Sequence, residues 1–163
     1  MITYLKGDAT VPQAKGPKII AHIVNTLGVW GAGFVIAVSR RWPEPEEAYR
    51  RWHRERSQKD SYGSRKEFSL GYNQVVQVKP DIWVVNMIAQ QGIGTGSKGP
   101  PIRYDALALC LSDLDKIART LKASIHLPRI GTGLAGGKWD RIEPLITKLL
   151  DEHAVYVYDW NPS

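Results

Sequence analysis

The segment with the clearest chemical potential spans residues 127–139 and reads LPRIGTGLAGGKW. A short apolar run precedes it, and a run with helical spacing follows it. Glycine lets the backbone approach an anion closely, and a helix N-terminus presents unpaired N–H groups with a favourable dipole. The segment therefore predicts an anion-binding loop. Its four glycines are equally compatible with a plain tight turn between a strand and a helix.

A second segment, residues 25–34, repeats this arrangement after the apolar run 19–24. Asn25 begins a turn there, and the next helix is predicted to open with Trp30, Gly31, Ala32, Gly33 and Phe34. Two such loops on one sheet suggest a ligand with two phosphates, which neither loop alone would indicate. Asn25 can cap its own turn or point its amide into a cleft, and both interpretations stay open.

Three further polar residues lie in or next to predicted elements. Asp8 follows the first strand, where a carboxylate favours a turn but can also accept a hydrogen bond from the amino group of a base. His22 lies inside an apolar strand, which is more typical of a core histidine than of a catalyst. Cys110 lies in an apolar helical run and is predicted to be a small buried hydrophobe rather than a nucleophile.

Length and composition favour one globular domain over residues 1–163. No apolar run approaches a membrane span, no signal peptide is evident, and a single cysteine suits a reducing compartment. We therefore expect a cytoplasmic monomer without membrane association. The net charge of +6 is concentrated over residues 40–65, where acidic residues interleave. That pattern favours a solvated helical face over a nucleic-acid groove, although it can also attract an anionic ligand.

Hydrophobic periodicity predicts strands over 2–5, 19–24, 68–78, 82–89, 124–127 and 155–158, and helices over 33–42, 46–56, 102–121 and 141–152. Residues 58–66 are polar and turn-rich, and 92–101 form a long glycine-rich loop, which makes that loop a functional candidate. The strands over 68–78 and 82–89 are expected to pair as a hairpin. This alternation predicts an α/β fold with helices covering a largely parallel sheet, whose ligands bind beyond the carboxyl ends of the strands.

Taken in order, these motifs resemble the macrodomain family of ADP-ribose-binding modules. The similarity rests on ITYLKGD at residues 2–8, on AHIVN at 21–25 followed by WGAG at 30–33, and on PRIGTGL at 128–134. It covers the whole chain and is greatest to the branch containing the terminal ADP-ribose protein glycohydrolase and the yeast-type ADP-ribose 1″-phosphate phosphatase. The resemblance implies a three-layer α/β/α sandwich with a mixed, largely parallel central sheet, with ADP-ribose as ligand and no metal or cofactor.

The resemblance also implies roles at the adenine and phosphate positions. Asp8 would bind the adenine amino group with the Ala9 backbone beside it, and Tyr158 would lie against the base. The backbone of Gly131 to Leu134 would bind the diphosphate. The implied ligand-binding residues of this phosphate loop are Arg129, Gly131, Thr132, Gly133, Leu134 and Ala135.

At the distal ribose the resemblance implies binding by Asn25, the loop 30–34 and Gln90. The glycohydrolase carries a lysine in place of Gln90 and an aspartate in place of Ala135. Neither glutamine nor alanine can form the lysine adduct, so that mechanism is unavailable at these positions.

Four functions follow as hypotheses. The leading one is hydrolysis of ADP-ribose from acidic side chains of ADP-ribosylated proteins by an oriented water, with Asn25 and Gln90 as catalytic residues. A second is a reader that binds ADP-ribose without chemistry. A third is an ADP-ribose 1″-phosphate phosphatase, in which His22 could act as acid or base. Nucleic-acid binding is the fourth and rests on the positive charge alone.

Overall fold

The computed structural model describes residues 1–60, 63–93 and 100–160. Most of the glycine-rich loop predicted over 92–101 lies outside the described residues. In chain order the elements are β1 (Ile2–Lys6), β2 (Lys18–Asn25), α1 (Phe34–Arg41), α2 (Glu44–Glu55), β3 (Ser57–Lys59), β4 (Arg65–Glu67), β5 (Asn73–Lys79), β6 (Ile82–Gln90), α3 (Tyr104–Leu121), β7 (Ser124–Leu127), α4 (Trp139–Leu149) and β8 (Val155–Asp159).

Six strands form one sheet in the order β1-β8-β7-β2-β6-β5. Every neighbouring pair is parallel except β5 with β6, which form the predicted antiparallel hairpin. Strands β2 and β6 are buried along almost their whole length, as strands covered on both faces must be. The mixed, largely parallel sheet is therefore confirmed.

Helices cover both faces of this sheet, and the period of two along the central strands divides their side chains between two cores. Ile19 and Ala21 of β2 pack with α3 and α4, whereas Ile20 and Val24 pack with α1 and α2. The three-layer α/β/α sandwich is thus confirmed. No helix in the described ranges is long and apolar enough to cross a membrane.

Two boundaries differ from the predictions. The strand predicted over 68–78 begins only at Asn73, because Phe68 leaves the alternating pattern and packs its ring edge-on against Trp52 in the core. A turn at Gly71, where φ is +92°, then leads into β5. The segment 58–66 is predicted to be polar and turn-rich, and most of β3 and β4, which form a small antiparallel hairpin, lies within it.

The two buried candidates behave as the sequence predicted. Cys110 is fully buried, and burial raises the pKa of its thiol to about 12, which leaves it protonated and unreactive. His22 is buried with its Nε2 2.6 Å from the Asn86 Oδ1. Because the amide oxygen accepts, Nε2 carries the proton, and burial lowers the pKa of the ring to about 4. His22 is thus a neutral core histidine.

Candidate functional site

A cavity of about 780 Å³ lies where the parallel strands β1, β7 and β8 end. Ligands bind at this edge in open α/β sheets. One wall comes from the segments that follow these strands, and the other comes from α1. The lining residues are Gly7, Asp8, Ala9, Gly33, Phe34, Ile36, Ala37, Arg40, Arg41, Pro128, Arg129, Tyr158, Asp159 and Trp160.

Asp8 uses its two carboxylate oxygens for different purposes. Oδ1 accepts hydrogen bonds from the backbone N–H of Thr10 at 2.8 Å and from its hydroxyl at 2.7 Å. Oδ2 lies 3.9 Å from the Arg41 guanidinium. The turn predicted from sequence is present, and it consumes only one oxygen. The other oxygen remains available at the cavity, with the buried Ala9 beside it.

Tyr158 lies on the cavity wall but is almost fully buried, and the stacking role implied for it stays a prediction. The residue is 2% exposed, and its hydroxyl accepts from the Gln13 backbone N–H at 2.8 Å and lies 2.8 Å from Nδ1 of His126. These two contacts hold the hydroxyl in the interior. Trp160 also lines the cavity and is 64% exposed, so its ring is accessible to a ligand.

Arg129 is fixed on the cavity wall by three neighbours. Its guanidinium donates to both carboxylate oxygens of Asp159, at 2.7 and 2.9 Å. It also lies 4.8 Å from the ring centre of Tyr4 and 4.9 Å from that of Trp139. The ion pair raises the pKa of Arg129 and holds the pKa of Asp159 below its usual range. A charge held this way keeps its geometry when a ligand arrives.

The phosphate loop is closed by its own backbone. The N–H of Gly137 donates to the carbonyl of Gly131 at 2.6 Å, and the N–H of Gly136 donates to that of Gly133 at 3.0 Å. Gly131 has φ of +77°, and a Cβ added there would lie 2.5 Å from the Ile102 Cδ1. Within the described part of the chain, the N–H groups of residues 131, 133, 134 and 135 donate to no protein acceptor. Four open donors in one loop suit an anion.

The Asn25 side chain is engaged by its own loop, and the catalytic role predicted for it stays a prediction. Oδ1 accepts from the backbone N–H groups of Leu27 at 2.9 Å and Val29 at 3.3 Å, and from the Tyr49 hydroxyl at 2.9 Å. Nδ2 donates to the Val29 carbonyl at 2.7 Å. These hydrogen bonds of the Asn25 side chain therefore stabilise the loop that follows β2.

The Trp30 side chain belongs to the core, and the ligand-binding role predicted for the loop 30–34 stays a prediction. It is buried, its indole N–H donates to the Ser39 hydroxyl at 2.7 Å, and its ring packs edge-on against His22. Gly31 and Ala32 are exposed in the loop that follows. Gly33, which has a φ of +87°, precedes α1 without a side-chain cap. In the described part of the chain the N–H groups of Phe34 and Val35 donate to no protein acceptor, whereas that of Ile36 donates to the Gly33 carbonyl at 3.1 Å.

Gln90 lies opposite Asn25 where β2 and β6 end. Its side-chain amide donates to the Gly92 carbonyl at 3.0 Å, so this side chain is also engaged by its own loop. Of the predicted site residues, the structure gathers Asp8, Ala9, Gly33, Phe34, Arg129 and Tyr158 around the cavity. The others, which are not part of that lining, are Asn25, Trp30, Gly31, Ala32, Gln90, Gly131, Thr132, Gly133, Leu134 and Ala135.

Sequence reasoning missed four polar or aromatic residues of the lining: Arg40, Arg41, Asp159 and Trp160. For the arginines a signal existed. Residues 33, 36, 37, 40 and 41 recur at helical spacing and so share one face of α1 with the glycine motif. For Trp160 there was none, because it follows the last strand in a short polar tail.

Comparison with known proteins places the chain in a family. No family model matches it. A solved structure, the macrodomain protein from Streptomyces coelicolor, is 51% identical, with 98% of this chain and 99% of that one covered at a TM-score of 0.82. The chain therefore belongs to the macrodomain family, and the resemblance seen in the sequence is confirmed.

Two curated relatives extend the comparison. The zebrafish (Danio rerio) chromodomain-helicase-DNA-binding protein 1-like is 33% identical over 95% of this chain, which spans only 15% of that protein. The ADP-ribose 1″-phosphate phosphatase of Candida albicans is 25% identical over 96% of this chain and 99% of the enzyme.

Proposed function

We propose that this chain binds ADP-ribose in the cavity at the ends of β1, β7 and β8. The observation that carries the proposal is the polarity of that cavity, whose lining holds the Asp8 carboxylate, the exposed Trp160 ring and the uncapped start of α1. Adenine lies beside the Asp8 Oδ2 and against Trp160. The diphosphate lies between the start of α1 and the phosphate loop, which points the distal ribose toward Asn25 and Gln90.

Charge supports this ligand as well. The cavity is lined by Arg40, Arg41 and Arg129, and the chain carries a net charge of +6. A diphosphate is attracted by such a field and is then held by backbone donors, which need no reorganisation on binding.

The finer proposal is hydrolysis of ADP-ribose from acidic side chains of ADP-ribosylated proteins. A water oxygen bonds to C1″ while the bond from C1″ to the ester oxygen breaks. The carboxylate leaves with the electron pair, and the proton of the water passes to solvent. The carboxylic acid of aspartate or glutamate has a pKa of about 4, so its carboxylate is a weak base and leaves without protonation by a protein acid. The side-chain amides of Asn25 and Gln90, near this ribose, are held by their own loops. The open N–H groups of the site can stabilise the charge that develops in the transition state.

Calorimetry with ADP-ribose tests the binding proposal, and Asp8→Asn gives the sharpest variant. An asparagine keeps an oxygen for the Thr10 turn but places an N–H₂ where Oδ2 faces the base. We expect affinity to fall about tenfold, the loss of roughly one charge-assisted hydrogen bond. The matched control is Asp151→Asn, an exposed carboxylate outside the cavity, which should leave affinity unchanged. Equal affinity in Asp8→Asn and wild type would contradict this placement of the base.

Turnover assays with the same protein separate the chemical hypotheses. A glutamate-ADP-ribosylated protein should release ADP-ribose, and ADP-ribose 1″-phosphate should release no phosphate. Tight binding without release above the blank would identify a reader and refute hydrolysis. Release of phosphate would favour the activity named for the Candida albicans relative, which is the alternative supported by similarity over nearly the full length of both chains.

A further inference from the structure

The adenine end of the cavity carries more positive charge than ADP-ribose requires. Arg40 and Arg41 line it from the last turn of α1, where Arg41 lies 3.9 Å from the Asp8 carboxylate, and Arg129 lines the same cavity from the segment after β7. Adenine and its ribose are uncharged, and the diphosphate is placed at the other end of α1. The arginines therefore face a part of the ligand that has no charge to match them.

The helix sets the distance between the two positive ends. The wall runs from Gly33 and Phe34 through Ile36 and Ala37 to Arg40 and Arg41, which is nearly two turns of one helical face. At a rise of about 1.5 Å per residue, the open N–H groups and the arginines are separated by roughly 10 Å. A ligand that satisfies both ends carries two anionic groups separated by about this distance.

The three arginines differ in what already engages them. Arg129 is held by Asp159, and Arg41 donates to the Thr10 hydroxyl at 2.7 Å and lies near Asp8. Arg40 is exposed, and no acceptor for its guanidinium is found in the described part of the chain. A basic residue in the last turn of a helix also complements the helix dipole. The interaction with the helix dipole does not require the side chain to point in any one direction, so it does not explain why Arg40 lies on the cavity wall.

We propose that the cavity takes adenosine diphosphate ribosides bearing a phosphate monoester on the adenosine ribose, such as ADP-ribose 2′-phosphate, with Arg40 as the main contact to that phosphate. This inference rests on the proposed ADP-ribose function and names a narrower substrate class for the same site. The monoester carries a charge of about −1.5 to −2 at neutral pH, which guanidinium groups bind with charge-assisted hydrogen bonds. Arg41, already close to Asp8, adds charge to the same end of the cavity.

The test compares the dissociation constants of ADP-ribose and ADP-ribose 2′-phosphate by calorimetry at pH 7.5. We expect the phosphorylated ligand to bind about five- to tenfold tighter, as suits one or two half-exposed charged contacts. Arg40→Gln should reduce this preference at least threefold. Arg54→Gln is the matched control, because Arg54 also lies exposed in the last turn of a helix, α2, but outside the cavity, and it should leave the preference unchanged.

The outcomes separate the two proposals. If ADP-ribose binds but the 2′-phosphate brings no gain, the inference is overturned and the proposed function stands. If Arg54→Gln lowers the preference as much as Arg40→Gln, only the overall charge attracts the phosphate, and the assigned contact is overturned. If neither ligand binds, the proposed function itself fails.

Discussion

A single methyl group at Gly131 is expected to damage the phosphate loop far more than the same group two residues later. At Gly131 the backbone has φ of +77°, a left-handed conformation that costs an L-residue about 1–2 kcal/mol. The added Cβ would also lie 2.5 Å from Cδ1 of Ile102, 3.0 Å from that of Ile142 and 3.3 Å from that of Ile23. Overpacking of this kind costs about 1–3 kcal/mol.

The two terms together predict that Gly131→Ala lowers the free energy of unfolding by about 2–5 kcal/mol. The three methyl groups come from β2, from α4 and from the segment before α3, so moving one does not relieve the others. For a chain of this size that loss lowers Tm by roughly 4–20 °C. Gly133→Ala is the matched control, because Gly133 is not at positive φ and a Cβ there meets no atom within 4 Å. Its effect should be neutral, or stabilising by up to about 1 kcal/mol.

Urea unfolding of both variants measures this difference, and calorimetry with ADP-ribose reports the loop itself. Gly131→Ala should weaken binding because a shifted loop turns its open N–H groups away from the diphosphate. Unfolding free energies for the two variants that agree within about 0.5 kcal/mol would refute the reasoning, since that is the spread of surface substitutions without a structural cause.

Four other predictions test individual residues. Trp160→Ala should weaken ADP-ribose binding by about 1–3 kcal/mol through lost stacking, and an unchanged affinity in calorimetry would contradict the placement of the base against Trp160. Tyr158→Phe keeps the ring and should lower the unfolding free energy by about 1 kcal/mol through lost internal hydrogen bonds, and an unchanged urea unfolding curve would contradict this role of the hydroxyl. Asn25→Ala should destabilise the fold by about 1–3 kcal/mol, because the backbone N–H groups of Leu27 and Val29 and the Tyr49 hydroxyl lose their acceptor. An unchanged urea unfolding curve would show that these hydrogen bonds do not stabilise the fold. Burial lowers the pKa of His22 and that of His126 to about 4, from 6.5 for a histidine in water. The unfolded chain therefore binds more protons below pH 6.5, and stability should fall toward pH 4 by up to about 2.7 kcal/mol per pH unit. His126→Gln should halve that slope in urea titrations, and an unaltered slope would contradict the linkage.

Elements with a clear local period were predictable, and those that depend on distant partners were not. The continuous apolar run of β2 marked a strand buried on both faces, and both glycine loops fell at strand ends. Phe68 was misleading because its alternation with later residues imitates a strand. Its burial depends on Trp52, which lies on a helix and packs edge-on against it.

By itself the sequence determined the α/β class, the two glycine loops and the neutral roles of His22 and Cys110, because neighbouring residues encode periodicity, turn geometry and burial. Only the tertiary structure decided which of two available roles a polar side chain fills. Asn25 braces its loop because the Tyr49 hydroxyl arrives from α2 to complete its hydrogen bonds. Arg40 and Trp160 face one cavity because a helix and a strand end, more than a hundred residues apart in the chain, meet there.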